Sequence, residues 1–385
     1  MKVAFISDLH IANHRKFNNV DFQLLHKWAG VNNRCTLSLD VLSRAFARAK
    51  DKGCSSVCIL GDLFDGVRPE PQVLAATMTV LSAHASEHFG IHIMPGNHDQ
   101  VEPESKNNTL GPISFLPHVK VHHIAGTYLL VGSKVVQIEI WNVPFRPGNV
   151  SEWLPKVLED LSGQASQGVL RFLTLHAGIS ECAMPMWQRA LPDAISTDTL
   201  VGLCEGHDLS AVFAGHWHAR RLWEVKRYGL VQLGAMCPAD WRDTAYGVMA
   251  ILEVEKLDGK YTIETEVIPG PRFVECDSQD ESLNCLKQFD RSCHVFARMV
   301  GTEKNGGMQG VRVRLEELRV QGVIAGYEVL PDDRAALVAG RTAATLARSA
   351  DTLEKALSEF VSKMPLEEGV DRSRVLELSR SFLES

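Results

Sequence analysis

The sequence predicts an α/β protein. From residue 1 to about 267, short apolar runs alternate with stretches whose apolar residues recur at helical spacing, as in layered α/β folds. The second observation is that polar, metal-binding residue types directly follow several of these runs, as at the strand ends of open α/β sheets. The candidate strands are Val3–Ser7, Val57–Leu60, Ile91–Met94, Tyr128–Val131, Val135–Trp141, Leu170–Leu175, Ala211–Ala214, Leu230–Leu233 and Val248–Val254.

The helices of this region follow from periodicity. Ser38–Lys52 carries Leu39, Leu42, Phe46 and Ala49 on one helical face, and Gln72–Phe89 shows a comparable pattern. Both stretches are therefore expected to cover the sheet faces.

Composition sets the broad class of the protein. Its 385 residues, 45% hydrophobic and 23% charged, indicate soluble globular structure with one large domain and something smaller. No apolar stretch approaches the ~20 residues that span a bilayer, and the first residues read as a buried strand, so we expect a cytoplasmic protein without a membrane partner. Nine cysteines without a repeated spacing predict reduced core thiols. The net charge is −7, whereas a protein that binds DNA mainly through phosphate contacts would be expected to be basic. Any binding of nucleic acid is therefore expected to be local, metal-assisted or shared with a partner.

The pattern changes near residue 268. Residues 1–267 form the predicted main domain, and 268–332 read as a small α+β domain with strands Arg272–Cys276, His294–Val300 and Val323–Val329 around a helix, Gln309–Val320. Residues 333–350 are a linker or an irregular helix. Residues 351–385 predict two amphipathic helices, a hairpin that docks on its own body or on another chain. Its apolar positions, the candidates for partner binding, are Leu353, Leu357, Phe360, Val361, Met364, Val375, Leu376, Phe382 and Leu383.

Five apolar runs are each followed at once by metal-binding residue types. These are Asp8 and His10 in SDLH, Asp62 in GDLFD, Asn97 and His98 in GNHD, His176 in LHAG, and His216 and His218 in GHWH. Ligands of open α/β sheets bind beyond the carboxyl ends of strands, so we expect these strand ends to converge on one crevice. In extended backbone, residues i and i+2 point the same way, which suits the pairs Asp8/His10 and His216/His218 to one ion or to two neighbouring ions.

This donor set predicts two metal ions. Carboxylate, amide and imidazole donors without thiolate suit manganese, iron or zinc better than calcium, and the donors outnumber the four of a zinc site. We expect two divalent cations, manganese first among them, about 3.5–4 Å apart with Asp62 between them. His98 is the expected general acid for the leaving oxygen.

The ordered series D-x-H, G-D-x-x-D, G-N-H-D, H and G-H-x-H resembles the calcineurin-like metallophosphoesterases over most of residues 1–220. The resemblance implies a four-layer α/β/β/α sandwich, and His98 as the catalytic histidine, oriented by Asp99. It implies one ion held by Asp8, His10, Asp62 and His218, and a second held by Asp62, Asn97, His176 and His216. Asp65 is left open between a hydrogen-bond acceptor for a ligand and a helix cap.

Three features are similar to the nuclease subunit of the SbcC/SbcD type of double-strand-break repair complex. GDLFD is followed by the proline-containing GVRPEP, residues 268–332 resemble the capping domain that such nucleases use against DNA, and 351–385 resemble the hairpin that binds an SbcC-type coiled-coil ATPase. The resemblance implies a homodimeric, metal-dependent DNA exonuclease, with endonuclease activity open, that acts in repair or recombination. Residues 11–37 depart from the bacterial pattern and resemble bacteriophage versions, which would place the protein in a host cytoplasm and puts substrate entry in doubt.

The motifs fix the chemistry without fixing the substrate, so two other functions stay open. One is a phosphodiesterase or phosphatase for a small molecule or nucleotide, and the other is a DNA-end-binding subunit whose catalysis is dispensable. Trp217 is interpreted as packing rather than base stacking. Five residues close in sequence to the metal motifs are candidates for DNA contact, although a lone basic residue is usually a solvated surface residue. They are Arg15, Lys16, Arg68, Arg220 and Arg221.

Overall fold

A computed structural model describes most of the chain. The described residues are 1–14, 30–100, 102, 108–133, 136–182, 192–238, 241, 243, 247–255, 260–276, 283, 286, 295–301 and 306–331. The predicted linker 333–350 and helical hairpin 351–385, with all nine of its partner-binding candidates, lie outside these residues, as do Arg15 and Lys16.

The strands are numbered here in chain order. They are β1 Lys2–Ile6, β2 Ser56–Leu60, β3 Gly90–Met94, β4 Val119–Val121, β5 Gly126–Ser133, β6 Val136–Val143, β7 Leu170–His176, β8 Gly178–Ile179, β9 Ala194–Ile195, β10 Leu209–Gly215, β11 Arg221–Val225, β12 Tyr228–Gln232, β13 Val248–Val254, β14 Tyr261–Val267, β15 Arg272–Cys276, β16 Val295–Gly301 and β17 Gly326–Pro331. The α-helices are α1 Asn33–Asp51, α2 Pro71–His84, α3 Val150–Ser162, α4 Thr197–His207 and α5 Gly307–Val320, with 3-10 turns at Pro112–Phe115 and Ser180–Cys182.

Two six-stranded sheets carry the site. The first has the order β14-β13-β1-β2-β3-β4, with β1 to β4 parallel. The second has the order β11-β12-β10-β7-β6-β5, with β12, β10, β7 and β6 parallel. Every predicted metal-binding motif follows one of the central strands β1, β2, β3, β7 or β10. The predicted α/β class is confirmed.

Three apolar cores hold these elements together. The outer face of the first sheet packs against α1 and α2, where Phe46 is fully buried. The facing sides of the two sheets form a second core, in which the rings of Phe5 and Phe213 stack with centroids 3.9 Å apart. On the second sheet, Leu154 and Leu158 of α3 join residues of α4 in a third core. Each fully buried leucine or phenylalanine stabilises the fold by about 1.5–3 kcal/mol.

Helix boundaries differ from the predicted ones for local reasons. Helix α1 begins at Asn33 instead of Ser38, because the side chain of Asn32 accepts a hydrogen bond from the Cys35 N–H and so caps the helix earlier. Helix α2 ends at His84 instead of Phe89, because Ser86 and Phe89 exchange two main-chain hydrogen bonds in a tight turn. Pro155 lies inside α3, which the apolar pattern did not predict.

The C-terminal part of the described chain contains a three-stranded sheet of order β15-β16-β17, and α5 lies between β16 and β17 in sequence. Leu37, Trp241, Phe273 and Phe296 form a separate buried cluster. Within the described residues, the chain divides into two units, one of Met1–Arg298 with Val313–Glu328 and another that includes Met299–Arg312. The proposed domain boundaries at 267, 332 and 350 stay predictions.

Two other features of the described residues bear on the composition. Their cysteines, Cys35, Cys54, Cys58, Cys182, Cys204, Cys237 and Cys276, are free thiols. No helix within the described ranges has the length and apolarity needed to cross a membrane.

Candidate metal centre

The predicted ligands lie together at the carboxyl ends of the central strands. Their donor atoms form three overlapping groups, within each of which all donors lie within 4.8 Å of one another. The groups are Asp8, His10 and His218; His10, Asp62 and His98; and Asp62, His176 and His216. Asn97 joins the third group, since its Oδ1 lies 3.2 Å from His176 Nε2 and 2.9 Å from His216 Nδ1.

Asp62 lies between the two halves of this cradle. Its Oδ2 is 3.4 Å from His176 Nε2 and 3.9 Å from His10 Nε2. Its Oδ1 accepts a hydrogen bond from the His98 N–H at 2.9 Å. One carboxylate oxygen is therefore tied to the main chain, which leaves the other to face both halves of the site.

The donors fit two divalent cations. The Nε2 atoms of His10 and His218 face each other at 3.0 Å, so two imidazole lone pairs are directed at one point. Asp8, Asp62 and Asn97 add oxygen donors, and no cysteine of the described residues belongs to the three groups. A donor set of imidazole, carboxylate and amide groups suits manganese, iron or zinc. Ions bound here would be held by Asp8, His10, Asp62 and His218 on one side and by Asp62, Asn97, His176 and His216 on the other.

The ligand-bearing backbone is strained. Asp8, His10, Asp62 and His216 have φ values of 54°, 46°, 50° and 86°, in a region that non-glycine residues rarely adopt. Such conformations cost on the order of 1–3 kcal/mol each and persist only where surrounding contacts enforce them. Here the Asp8 N–H donates to Gly61 O at 3.1 Å, and the Leu9 and His10 N–H groups both donate to Asp62 O. The expectation that Asp8/His10 and His216/His218 share a face through extended backbone is therefore wrong, because three of these residues are left-handed.

Two glycines permit the close approach of the loops. A Cβ at Gly96 would lie 2.1 Å from Asp62 Oδ1, and a Cβ at Gly61 would lie 2.1 Å from His176 Nδ1. No other residue fits either place without displacing a ligand. Gly61 also has a φ of 94°, which favours glycine independently.

Charge coupling perturbs the ligands when no cation is present. Burial opposes the charge of both Asp62 and His176, yet their mutual attraction holds the pKa of Asp62 well below its usual range and raises the pKa of His176 to about 9. Burial likewise opposes the charge of His10 and His218, and neighbouring carboxylates raise both pKa values. Because imidazole must be deprotonated to ligate a metal, cation binding should release protons from this cluster.

His98 and Asp99 do not form the expected pair. The Asp99 carboxylate is fully buried and accepts hydrogen bonds from the main-chain N–H groups of Leu63, Phe64 and Gly96 at 3.0–3.2 Å. His98 Nδ1 instead lies 3.0 Å from the Asp65 main-chain oxygen. Adjacent residues in a turn point in different directions, so Asp99 ties the second and third strand-end loops together, and the prediction that it orients His98 is corrected.

The arginine candidates have different surroundings. Arg221 donates to Glu181 O at 3.2 Å and lies 5.2 Å above the Trp223 ring, so its guanidinium is already engaged. Arg68 and Arg220 are exposed. Trp217 packs tightly on Gly178, where an added Cβ would lie 2.2 Å from the indole, which agrees with a packing role.

Three carboxylates contact the outer nitrogens of the ligand histidines. Asp65 Oδ1 lies 3.1 Å from His10 Nδ1, which favours the hydrogen-bond-acceptor interpretation of Asp65 over the helix cap. Asp193 Oδ2 lies 2.7 Å from His216 Nε2, and Asp243 Oδ2 lies 2.9 Å from His218 Nδ1. Sequence reasoning missed the last two, because they are 23 and 25 residues from their partners and belong to no motif.

The fold and the cradle together define a phosphoesterase with a dinuclear metal site. The chain belongs to the calcineurin-like phosphoesterase family, whose model matches residues 1–220. The family uses a dinuclear divalent metal site and hydrolyses phosphoester bonds.

The solved structures to which the chain is similar are distant in sequence. The protein TT1561 of Thermus thermophilus is 14% identical with a TM-score of 0.41, covering 69% of this chain and 98% of its own. A dimetal phosphatase from Danio rerio is 12% identical with a TM-score of 0.42, covering 70% of this chain and 97% of its own. A comparison with curated proteins found no match.

Proposed function

We propose that this protein is a metal-dependent DNA nuclease, the nuclease subunit of an SbcC/SbcD-like repair or recombination complex. The observation that carries the phosphodiesterase chemistry is the cradle itself, in which donors from separate strand ends meet on both sides of Asp62. Two cations bound there would polarise the phosphoryl group and lower the pKa of a water nucleophile.

The chain's own residues then have separate tasks. Asp62 spans the two halves of the cradle, and Asn97 and the four ligand histidines fix the donor positions. His98 donates through Nδ1 to the Asp65 main-chain oxygen, which leaves its Nε2 to deliver a proton to the leaving oxygen once the ring is charged. Its side chain is 40% exposed, so a substrate can reach it.

Three features support DNA as the substrate. The GDLFD motif continues into the proline-containing GVRPEP, as in SbcD-type nucleases. A small sheet of β15, β16 and β17, with α5 between its last two strands, follows the phosphoesterase core in sequence and would form the proposed capping domain. Arg68 and Arg220 are exposed near the metal-binding motifs and are offered as phosphate contacts, with Arg15, Lys16 and Arg221 as further candidates.

The partner proposal concerns the C-terminal segment. Residues 351–385 carry an amphipathic pattern suited to the coiled-coil base of an SbcC-type ATPase. A net charge of −7 fits a nuclease that shares its grip on DNA with such a partner or with a second copy of itself. Deleting residues 351–385 should abolish co-purification with the ATPase and leave metal binding intact.

Substrate preference tests the proposal directly. With manganese supplied, the protein should cleave linear DNA and bis(p-nitrophenyl) phosphate and should leave p-nitrophenyl phosphate nearly untouched. Asp62→Ala serves as the control for contaminating nucleases. If small diesters or phosphomonoesters are turned over efficiently while DNA is not, the protein is a small-molecule phosphoesterase and the nuclease proposal fails.

A further inference from the structure

The two histidines of GHWH present different nitrogens to the metal centre. His216 turns Nδ1 inward, where it lies 2.9 Å from Asn97 Oδ1, whereas His218 turns Nε2 inward, where it lies 3.0 Å from His10 Nε2. Their outer nitrogens each meet a carboxylate, Asp193 for His216 and Asp243 for His218. When a cation is bound, the inward nitrogen must carry the free lone pair, so each carboxylate would face the nitrogen that keeps its proton.

We infer that Asp193 and Asp243 are positioning residues that select opposite tautomers of His216 and His218 and thereby fix one ligand for each of two cations. This inference rests on the proposed metal-dependent function. A carboxylate that accepts the outer N–H of a ligand histidine sets the ring's orientation and raises its basicity, and losing such a partner typically costs about 10–100-fold in metal affinity.

Asp193 is itself held in place. Its main-chain oxygen accepts a hydrogen bond from the Gly178 N–H at 2.9 Å, and its carboxylate also contacts the Trp217 indole. Trp217 packs on Gly178, so the residue between the two histidines helps to fix the carboxylate that orients the first of them. The His216 N–H also donates to Asp8 Oδ2 at 3.0 Å, which fixes the main chain of the same ligand.

Asp243 is anchored from another side. Its side chain is 14% exposed, and Trp241, two residues earlier, lies in the buried cluster with Phe273 at a ring separation of 4.9 Å. The two carboxylates therefore have separate supports, because Asp193 accepts from Gly178 of β8 and Asp243 follows Trp241, which packs on Phe273 of β15. Removing one should leave the other histidine in place.

Metal binding without substrate tests the inference on the full chain. Calorimetric titration with manganese should resolve two ions in the wild type. Asp193→Ala should lower the affinity for one ion about 10–100-fold and leave the affinity for the other near that of the wild type. The affected ion is the one held by Asp62, Asn97, His176 and His216. Asp243→Ala should have the reverse effect. Asp193→Asn, which keeps an acceptor oxygen, should recover most of the loss. Asp160→Ala, an exposed carboxylate on α3, is the matched control and should change neither ion.

The tautomers provide a second readout. In the zinc-loaded protein, histidine ¹⁵N shifts should show a protonated Nε2 on His216 and a protonated Nδ1 on His218. The inference is overturned if both rings have the same tautomer, if Asp193→Ala binds both ions normally, or if it weakens both equally. If an alanine variant fails to fold by circular dichroism, the corresponding asparagine variant is used instead. The tautomer of the histidine beside the substituted position then decides whether the inference holds. None of these outcomes depends on DNA cleavage. A wild-type protein that binds two ions and does not cleave DNA would therefore contradict the nuclease proposal and leave the positioning role of Asp193 and Asp243 intact.

Discussion

This molecule has two clusters of buried histidines whose pKa values are shifted in opposite directions. At the metal centre, burial opposes protonation of His176, yet nearby Asp62 raises its pKa to about 9. Beside β3 and β4, His92 and His122 stack on Tyr128 with His92 Nδ1 3.0 Å from His122 Nε2. Burial, followed by neighbouring positive charges, lowers the pKa of His92 to about 3 and that of His122 to about 4.

The comparison shows that acid partners, rather than burial, decide what a buried histidine does. The metal-centre rings attract positive charge because carboxylates surround them, and cations can replace their protons. The stacked rings have no carboxylate among the causes of their shifts and stay neutral, as packing elements.

Asp62→Ala should have the largest effect, because it removes the carboxylate that spans the cradle. We expect manganese affinity to fall on the order of 100-fold or more at both ion positions, measured by calorimetry. In the metal-free variant, the pKa of His176 should fall from about 9 toward the lowered pKa of His92, as measured by NMR titration. Retention of metal and of diester hydrolysis would disprove the assignment of the site.

His98→Ala should separate chemistry from binding. Loss of the general acid should lower kcat about 10²–10⁴-fold, while manganese affinity stays near that of the wild type. Parallel measurements of turnover and calorimetric metal binding check this. If metal affinity falls with turnover, His98 acts as a ligand, as its place in a group with His10 and Asp62 also permits.

Gly96→Ala should disturb the centre through backbone space alone. The added methyl would lie 2.1 Å from Asp62 Oδ1, so the carboxylate or the loop must move, at a cost of about 1–3 kcal/mol in unfolding free energy and roughly tenfold in metal affinity. Gly163→Ala is the control, because the nearest atom to its Cβ lies 3.6 Å away. Equal behaviour of the two variants in urea unfolding would contradict the close packing of the loops.

His92→Asn should have the smallest effect, visible only in acid. A histidine whose folded pKa is depressed does not affect the pH dependence of stability well above its unfolded pKa near 6.5. It lowers stability as pH falls toward the folded value near 3, because only the unfolded chain takes up the proton. Between pH 7 and pH 5 this costs about 2 kcal/mol. Urea unfolding of His92→Asn should therefore lose less stability over this interval than the wild type, whereas exposed His88→Asn should match the wild type.

Much of the fold was predictable because buried parallel strands leave strong apolar runs. β13 was predicted to the residue and β15 likewise, and the strands that carry the ligands were found within one or two residues. Helices α3 and α4 and the strands β4, β8, β9, β11 and β14 were missed. Pro155 interrupts the apolar pattern of α3, and the two-residue strands β8 and β9 leave no pattern. Candidate ligands could be proposed from the sequence because each lies at or just after the end of a strand.

The supporting contacts of the site were not predictable. The left-handed backbone at Asp8 and Asp62 could not be predicted, because neither residue is the glycine that usually marks such a conformation. The family resemblance paired Asp99 with His98, whereas the Asp99 carboxylate accepts hydrogen bonds from the main chain. Asp193 and Asp243 depend on folding that brings distant loops together.

The hydrogen bond from the His216 N–H to the Asp8 carboxylate joins residues 208 positions apart. During synthesis on the ribosome, the amino-terminal motifs therefore emerge long before the last ligands exist. A nascent chain that stops short of residue 218 has donors for only part of the centre, so tight ion capture must await nearly the whole phosphoesterase core.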